Sequence, residues 1–254
     1  MGIGGGVQVL TMRPRCSIPI WIAVLLVATL PSGRAESTRG VEVTARLGEV
    51  HQARTAEERR SQIPPAVLWL EPLDGESRDI SLAPPGRYAL VQKNKMFSPH
   101  LLVVPVGSVV LFPNKDPFFH NVFSLFDGKR FDLGLYEAGS TREVTFSREG
   151  VSYIFCNIHP EMSAVVLALS TPFYGVADVN GVFHLHGVPA GEYEMHLWVE
   201  GEQQSSLDRL TRTIRVSSGG ANLGEIPLDA APQPAKTHLN KFGQPYRPDD
   251  RPVY

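Results

Sequence analysis

The sequence predicts an all-β protein: a Greek-key sandwich in the middle of the chain, and a second, smaller β-sandwich built from segments outside it. Two observations carry this. From Tyr88 to Leu169, short apolar runs rich in β-branched and aromatic residues follow one another at the spacing of a sandwich, with Gly107, Gly128, Gly139 and Gly150 between them. After Leu169 the pattern changes: Gly175 to Leu185 and Gly187 to Met195 read as two strands joined by a Pro189-Ala190-Gly191 turn.

In chain order, Arg13 and Arg15 precede the apolar run from Ile18 to Leu30, and Gly33-Arg34-Ala35 offers small residues of the kind a signal peptidase reads. The run is shorter than the roughly 20 residues a bilayer span needs. Residues 1–35 therefore read as a cleaved export signal, with an uncleaved N-terminal anchor as the alternative. The expected location is periplasmic or otherwise exported, with no integral membrane span after cleavage.

Val41 to Val50 alternates apolar and polar residues as a half-buried strand does. His51 to Gln62 is polar, a solvated loop or short helix, and Ile63-Pro64-Pro65 stops it. Ala66 to Leu70 is a short strand ended by Glu71-Pro72 and the Asp74-Gly75 turn signal. The strands expected next are Ala89 to Phe97, Leu101 to Val104, Ser108 to Phe112, Asn121 to Leu125, Arg142 to Phe146, Val151 to Cys156 and Ser163 to Leu169. Roughly 80 residues with two apolar sheet faces suffice for one sandwich core. Arg212 to Val216 and Ala221 to Leu228 are the last strands, and the proline-rich tail 229–254 reads as disordered or as an arm.

Cleavage would remove Cys16 and leave Cys156 as the only cysteine, and a lone thiol in an exported protein demands a partner or a purpose. The formal charge is −2, more negative once Arg13, Arg15 and Arg34 are gone. No basic patch or nucleic-acid motif appears, so no nucleic-acid partner is expected.

The chemistry concentrates in Cys156-Asn157-Ile158-His159-Pro160-Glu161-Met162, where a thiol, an imidazole and a thioether recur every third residue after a strand-like run. A second imidazole stands upstream at His120, before Asn121. Taken singly, a buried Cys or Met most often serves packing. Together, two His and one Cys with a weak axial Met are the ligand set of a blue-copper electron-transfer site. Zinc is the competing metal, and Met162 favours copper because structural zinc sites draw on Cys, His or carboxylate.

On these residues the block from Tyr88 to Leu169 resembles the cupredoxins, the family of plastocyanin and amicyanin, and its Cys-x2-His-x2-Met spacing is closer to amicyanin's ligand loop. The resemblance implies a copper cofactor held by His120, Cys156, His159 and Met162, a redox protein partner, and an Asn121 that ties the two ligand-bearing loops by hydrogen bonding. The implied function is an exported mononuclear type 1 copper protein that carries single electrons; a periplasmic copper delivery protein is the alternative.

Two features depart from the family. Glu161 sits inside the ligand loop where an apolar residue is usual, and Ser152 occupies a position where an aromatic is usual. Phe118-Phe119 reads either as an apolar collar for partners or as core. Multicopper oxidases flank the equivalent Cys with His, whereas Phe155 and Asn157 stand here, and four protein ligands leave no open position, so no enzyme is expected. His100, with Met96, is a weaker candidate for a secondary copper contact; His184, His186 and His196 are candidates for a surface metal or a solvated sheet face.

Asp178-Val179-Asn180-Gly181-Val182-Phe183 followed by Pro189-Ala190-Gly191-Glu192-Tyr193 resembles the carboxypeptidase-regulatory-like, transthyretin-like sandwich. That fold opens with strands that residues 171–228 lack, and Val41 to Val50 and Ala66 to Leu70 match what is missing. Residues 36–76 and 171–228 are accordingly expected to form one module with the cupredoxin block, 77–170, inserted into a loop. Two tandem sandwiches with an unpaired N-terminal extension are the rival.

Overall fold

The computed structural model describes residues 40–48, 63–73, 83–125, 128–228 and 238–246. The export signal expected over residues 1–35, the polar segment 51–62 and the Asp74-Gly75 turn lie outside them. The described protein is all-β apart from one short helix, α1 (Gln204–Leu210), and no helix among the described residues is long and apolar enough to cross a membrane.

The middle of the chain supplies β3 (Arg87–Ala89), β4 (Val91–Lys93), β5 (Met96–Ser98), β6 (Leu101–Pro105), β7 (Ser108–Pro113), β8 (His120–Ser124), β9 (Phe131–Tyr136), β10 (Thr141–Phe146), β11 (Gly150–Cys156) and β12 (His159–Leu169). One sheet has the order β6-β12-β11-β8-β9 and another the order β10-β7-β3. Val104, Val122, Ile154 and Val166 of the first share a core with Val110, Phe112, Val144 and Phe146 of the second.

The flanking segments supply β1 (Val41–Leu47) and β2 (Ala66–Pro72) from before that sandwich. After it come β13 (Tyr174–Val176), β14 (Val182–Val188), β15 (Gly191–Val199), β16 (Arg212–Val216) and β17 (Ala221–Ile226). They interleave: the sheets run β14-β1-β17 and β13-β2-β15-β16. The chain leaves β2 and returns at the same place, where the Thr171 hydroxyl donates to Leu70 O at 2.8 Å and Leu70 N–H donates to Phe173 O at 2.9 Å.

Local chemistry explains the turns here. Asp178 Oδ1 accepts the N–H groups of Asn180 and Val182, both at 2.8 Å, while Gly181 takes the positive φ of 75° that a side chain would resist. The buried Tyr193 hydroxyl donates to Pro189 O at 2.8 Å, closing the Pro-Ala-Gly turn over its own strand.

β12 joins the two halves. Ala164, Val166 and Ala168 enter the middle core, while Val165, Leu167 and Leu169 enter the other, among Leu68, Leu70 and Trp198. A strand buried on both faces loses polar alternation, which is why this run is uniformly apolar.

Several expectations change. The single strand over Ala89 to Phe97 is instead a hairpin, because Asn94 and Lys95 both take left-handed φ, 55° and 56°, and fold β5 back on β4. β9 and α1 appear where no element was expected. The ligand segment is barely a loop: Cys156 ends β11, His159 begins β12, and the two are register partners across a bulge. Of the tail, read as disordered or as an arm, residues 238–246 lie against the middle sandwich, held by hydrogen bonds to Asn157, Cys156 and Pro160. The rest of the tail lies outside the described residues.

Candidate metal centre

The three expected ligands from the ends of β8, β11 and β12 converge. His120, Cys156 and His159 are 0%, 0% and 7% exposed, and one donor atom from each lies within 4.8 Å of the others. Cys156 Sγ is 3.5 Å from His120 Nδ1 and 3.4 Å from His159 Nδ1. Metal–nitrogen and metal–sulfur bonds of about 2.0 and 2.3 Å place neighbouring donors on the order of 3.5 Å apart. The donor set fits one soft or borderline metal ion. Met162 is 1% exposed and lies in the same core cluster as Cys156.

Main-chain groups prepare the thiol. Burial pushes the Cys156 pKa up, and hydrogen bonds from the backbone of Ile158, Asn121 and His159 work against that rise. A metal bound there would displace the thiol proton. Asn121 makes hydrogen bonds with both its main chain and its side chain. Its backbone carbonyl accepts Asn157 N–H at 2.8 Å, while its side chain donates to Asp132 Oδ1 at 2.6 Å.

His120 has a partner that sequence reasoning missed. With Nδ1 toward the thiol, its Nε2 donates to Asp116 Oδ2 at 2.9 Å, and both side chains are buried. The Asp116 carboxylate also accepts the N–H groups of Asn94 at 2.6 Å and Lys95 at 3.0 Å. The left-handed turn between β4 and β5 aims those two donors. Burial alone would raise the Asp116 pKa, but the hydrogen bonds from Lys95, His120 and Asn94 prevail and hold it low. A carboxylate on the far nitrogen of a ligating imidazole fixes its tautomer and orientation.

Phe118 lies with its ring centroid 5.4 Å from His120 and 5.6 Å from His159, while Phe119 is exposed. The tail packs on the other side. His238 stacks on Phe155 at 4.4 Å with its Nε2 3.2 Å from His159 O, Lys241 N–H donates to Asn157 Oδ1 at 2.9 Å, and the Tyr246 hydroxyl donates to Cys156 O at 3.0 Å. No sequence signal marks these contacts, because they join residues 79 to 90 positions apart and two of them are made to main-chain oxygens.

The weaker candidates go elsewhere. His100 bonds Glu200 at 2.7 Å, which raises its pKa, and Ser163 O at 3.2 Å, while Met96 is exposed. His184 pairs with Glu42 and stacks on His186 at 6.2 Å. Glu161 is exposed, and Ser152 is buried with its hydroxyl accepting Lys129 N–H at 2.7 Å.

Burial, then repulsion from His120, lowers the His159 pKa from 6.5 to about 4. Between these values the unfolded chain binds a proton that the folded, metal-free protein does not. Metal-free stability is therefore expected to be full above pH of about 6.5 and to fall as the pH drops to about 4, by about 3 kcal/mol at most. Denaturant melts across that window measure it; a flat profile would contradict a buried neutral His159.

No protein-family model matches the chain, and no curated protein matches it. Among solved structures, a Cu-containing nitrite reductase from Thermus scotoductus SA-01 is 23% identical with a TM-score of 0.32, over 34% of this chain and 23% of that one. A purple cupredoxin from Nitrosopumilus maritimus is 28% identical with a TM-score of 0.30, over 33% of this chain and 99% of that one. A reduced amicyanin variant is 21% identical with a TM-score of 0.31, over 33% and 82%. These structural neighbours are copper proteins of cupredoxin type, each similar to about a third of this chain.

Proposed function

We propose that the protein is an exported mononuclear copper protein of the cupredoxin class that carries single electrons between redox partners. The observation that carries this is the buried cluster of His120, Cys156 and His159, with donor separations suited to one metal ion. Met162, buried in the same core cluster as Cys156, would add a weak thioether donor to the set. The copper supplies a one-electron couple when bound. Burial lowers the pKa of both imidazoles, backbone groups of Ile158, Asn121 and His159 hydrogen-bond the sulfur, and all three side chains are buried. Burial on a rigid sheet end favours electron transfer over delivery, which requires the ligands to open. No substrate turnover is proposed.

Cu(II) added to the metal-free protein is expected to give an intense thiolate-to-copper absorption in the visible, bleached and restored by one-electron reagents. A colourless complex would leave delivery as the better reading, and sustained nitrite or oxygen consumption above free copper would overturn the non-enzyme reading. Asp116→Asn should raise the reduction potential, since a buried negative charge behind His120 favours the more positive oxidation state. Cyclic voltammetry checks the direction.

Residues 36–76 and 171–228 are proposed to form one carboxypeptidase-regulatory-like module interrupted by the copper-binding block 77–170. The interleaved sheets, in which β1 lies between β14 and β17 and β2 between β13 and β15, support that division.

A further inference from the structure

We propose that Glu71, Glu194 and His196 form a second metal site, for a divalent transition ion such as Zn2+, on the face that β2 and β15 turn toward the middle sandwich. One donor atom from each lies within 4.8 Å of the others. His196 Nε2 is 3.2 Å from Glu194 Oε2 and 3.7 Å from Glu71 Oε1. These separations suit donors that share one ion at about 2.1 Å.

The imidazole nitrogen itself points to a ligand. His196 Nε2 is shut off from solvent, and the groups that face it are the Glu194 and Glu71 carboxylates, at ion-pair distance but not in hydrogen-bonding geometry. A metal bound between the three groups would give this nitrogen and both carboxylates a shared partner. Glu71 and Glu194 are also register partners on adjacent strands, an arrangement of like charges that is unfavourable unless a cation lies between them.

Trp69 holds two of the three ligands in place. Its ring stacks on His196 with centroids 5.2 Å apart and planes 15° apart, and its Nε1–H donates to Glu71 Oε1 at 3.0 Å. That oxygen is also the one that faces His196, so the indole orients the Glu71 carboxylate toward the imidazole.

Beside the cluster is a cavity of about 570 Å3 between the two halves of the protein, walled by Trp69, Trp198 and Tyr153. Glu71, Glu149 and Glu202 contribute to its described lining, and no Lys or Arg does. Glu71 and His196 both face it. Three protein donors leave a coordination position for water or a small anion. Imidazole with carboxylates suits zinc, nickel or copper(II) and needs no thiolate, so this site is independent of Cys156.

Zn2+ titration of the full-length protein by equilibrium dialysis tests this. The Cys156→Ser protein is expected to retain one bound Zn2+, and adding His196→Ala should weaken that equivalent at least tenfold. Glu194→Gln, which preserves shape, should do the same and abolish the rise in Tm that Zn2+ produces by binding only the folded state. Unchanged stoichiometry and affinity in both His196→Ala and Glu194→Gln proteins would overturn the proposal, as would the absence of any Zn2+ bound to the folded Cys156→Ser protein. Loss of visible copper absorption alone bears on the first site and leaves this one intact.

Discussion

Replacing Cys156 by Ser is expected to abolish the visible absorption of the copper-loaded protein completely and to cost most of its copper affinity. The side chain is fully buried, with its sulfur 3.5 Å from His120 Nδ1 and 3.4 Å from His159 Nδ1. A hydroxyl stays protonated near neutral pH, so the soft anionic donor is lost rather than replaced. Met162→Leu is the contrasting variant: it preserves the apolar volume in the core and removes only a weak ligand, so copper stays bound and the potential shifts. Absorption spectra with copper analysis separate the two. A Cys156→Ser protein that still absorbs intensely would remove the thiolate from the site.

Excising residues 77–170 and joining 36–76 to 171–229 is expected to give a folded, metal-free domain, since β1 and β2 keep all their strand partners. It should be less stable than the parent by on the order of 5 kcal/mol. Val165, Leu167 and Leu169 of β12 leave with the excised block, and they pack into the remaining core; each large apolar side chain contributes about 1.5–3 kcal/mol on burial. Residues 77–170 alone should still turn blue with copper. Circular dichroism and denaturant melts read the outcome. If the joined segments are unfolded while 171–229 folds alone, the interrupted-module proposal is wrong.

Much of the metal centre could be read from the chain because ligand chemistry is residue-specific. Few side chains offer a soft anionic donor or a neutral imidazole, so Cys156, His159, Met162 and His120 stand out by type and spacing. What surrounds them did not stand out. Asp116 in Asn-Lys-Asp-Pro reads as an ordinary turn residue. Its role depends on the Asn94-Lys95 turn, which alternation alone disguised as the middle of one strand. His238, Lys241 and Tyr246 contact carbonyl and amide groups of the ligand segment or its flanking side chains, and a main-chain acceptor leaves no trace in composition.

The sequence by itself determined the class of fold, the strand-rich middle block and the donors for one metal, because periodicity and ligand type are local properties of the chain. Only the tertiary structure decided that β12 serves two cores and that a carboxylate stands behind His120. It alone placed residues 238–246 on the ligand segment and set Glu71 opposite Glu194 beside His196. Each of these joins residues distant in sequence or set by a turn. Such pairings are fixed by register and packing, and no single segment encodes them.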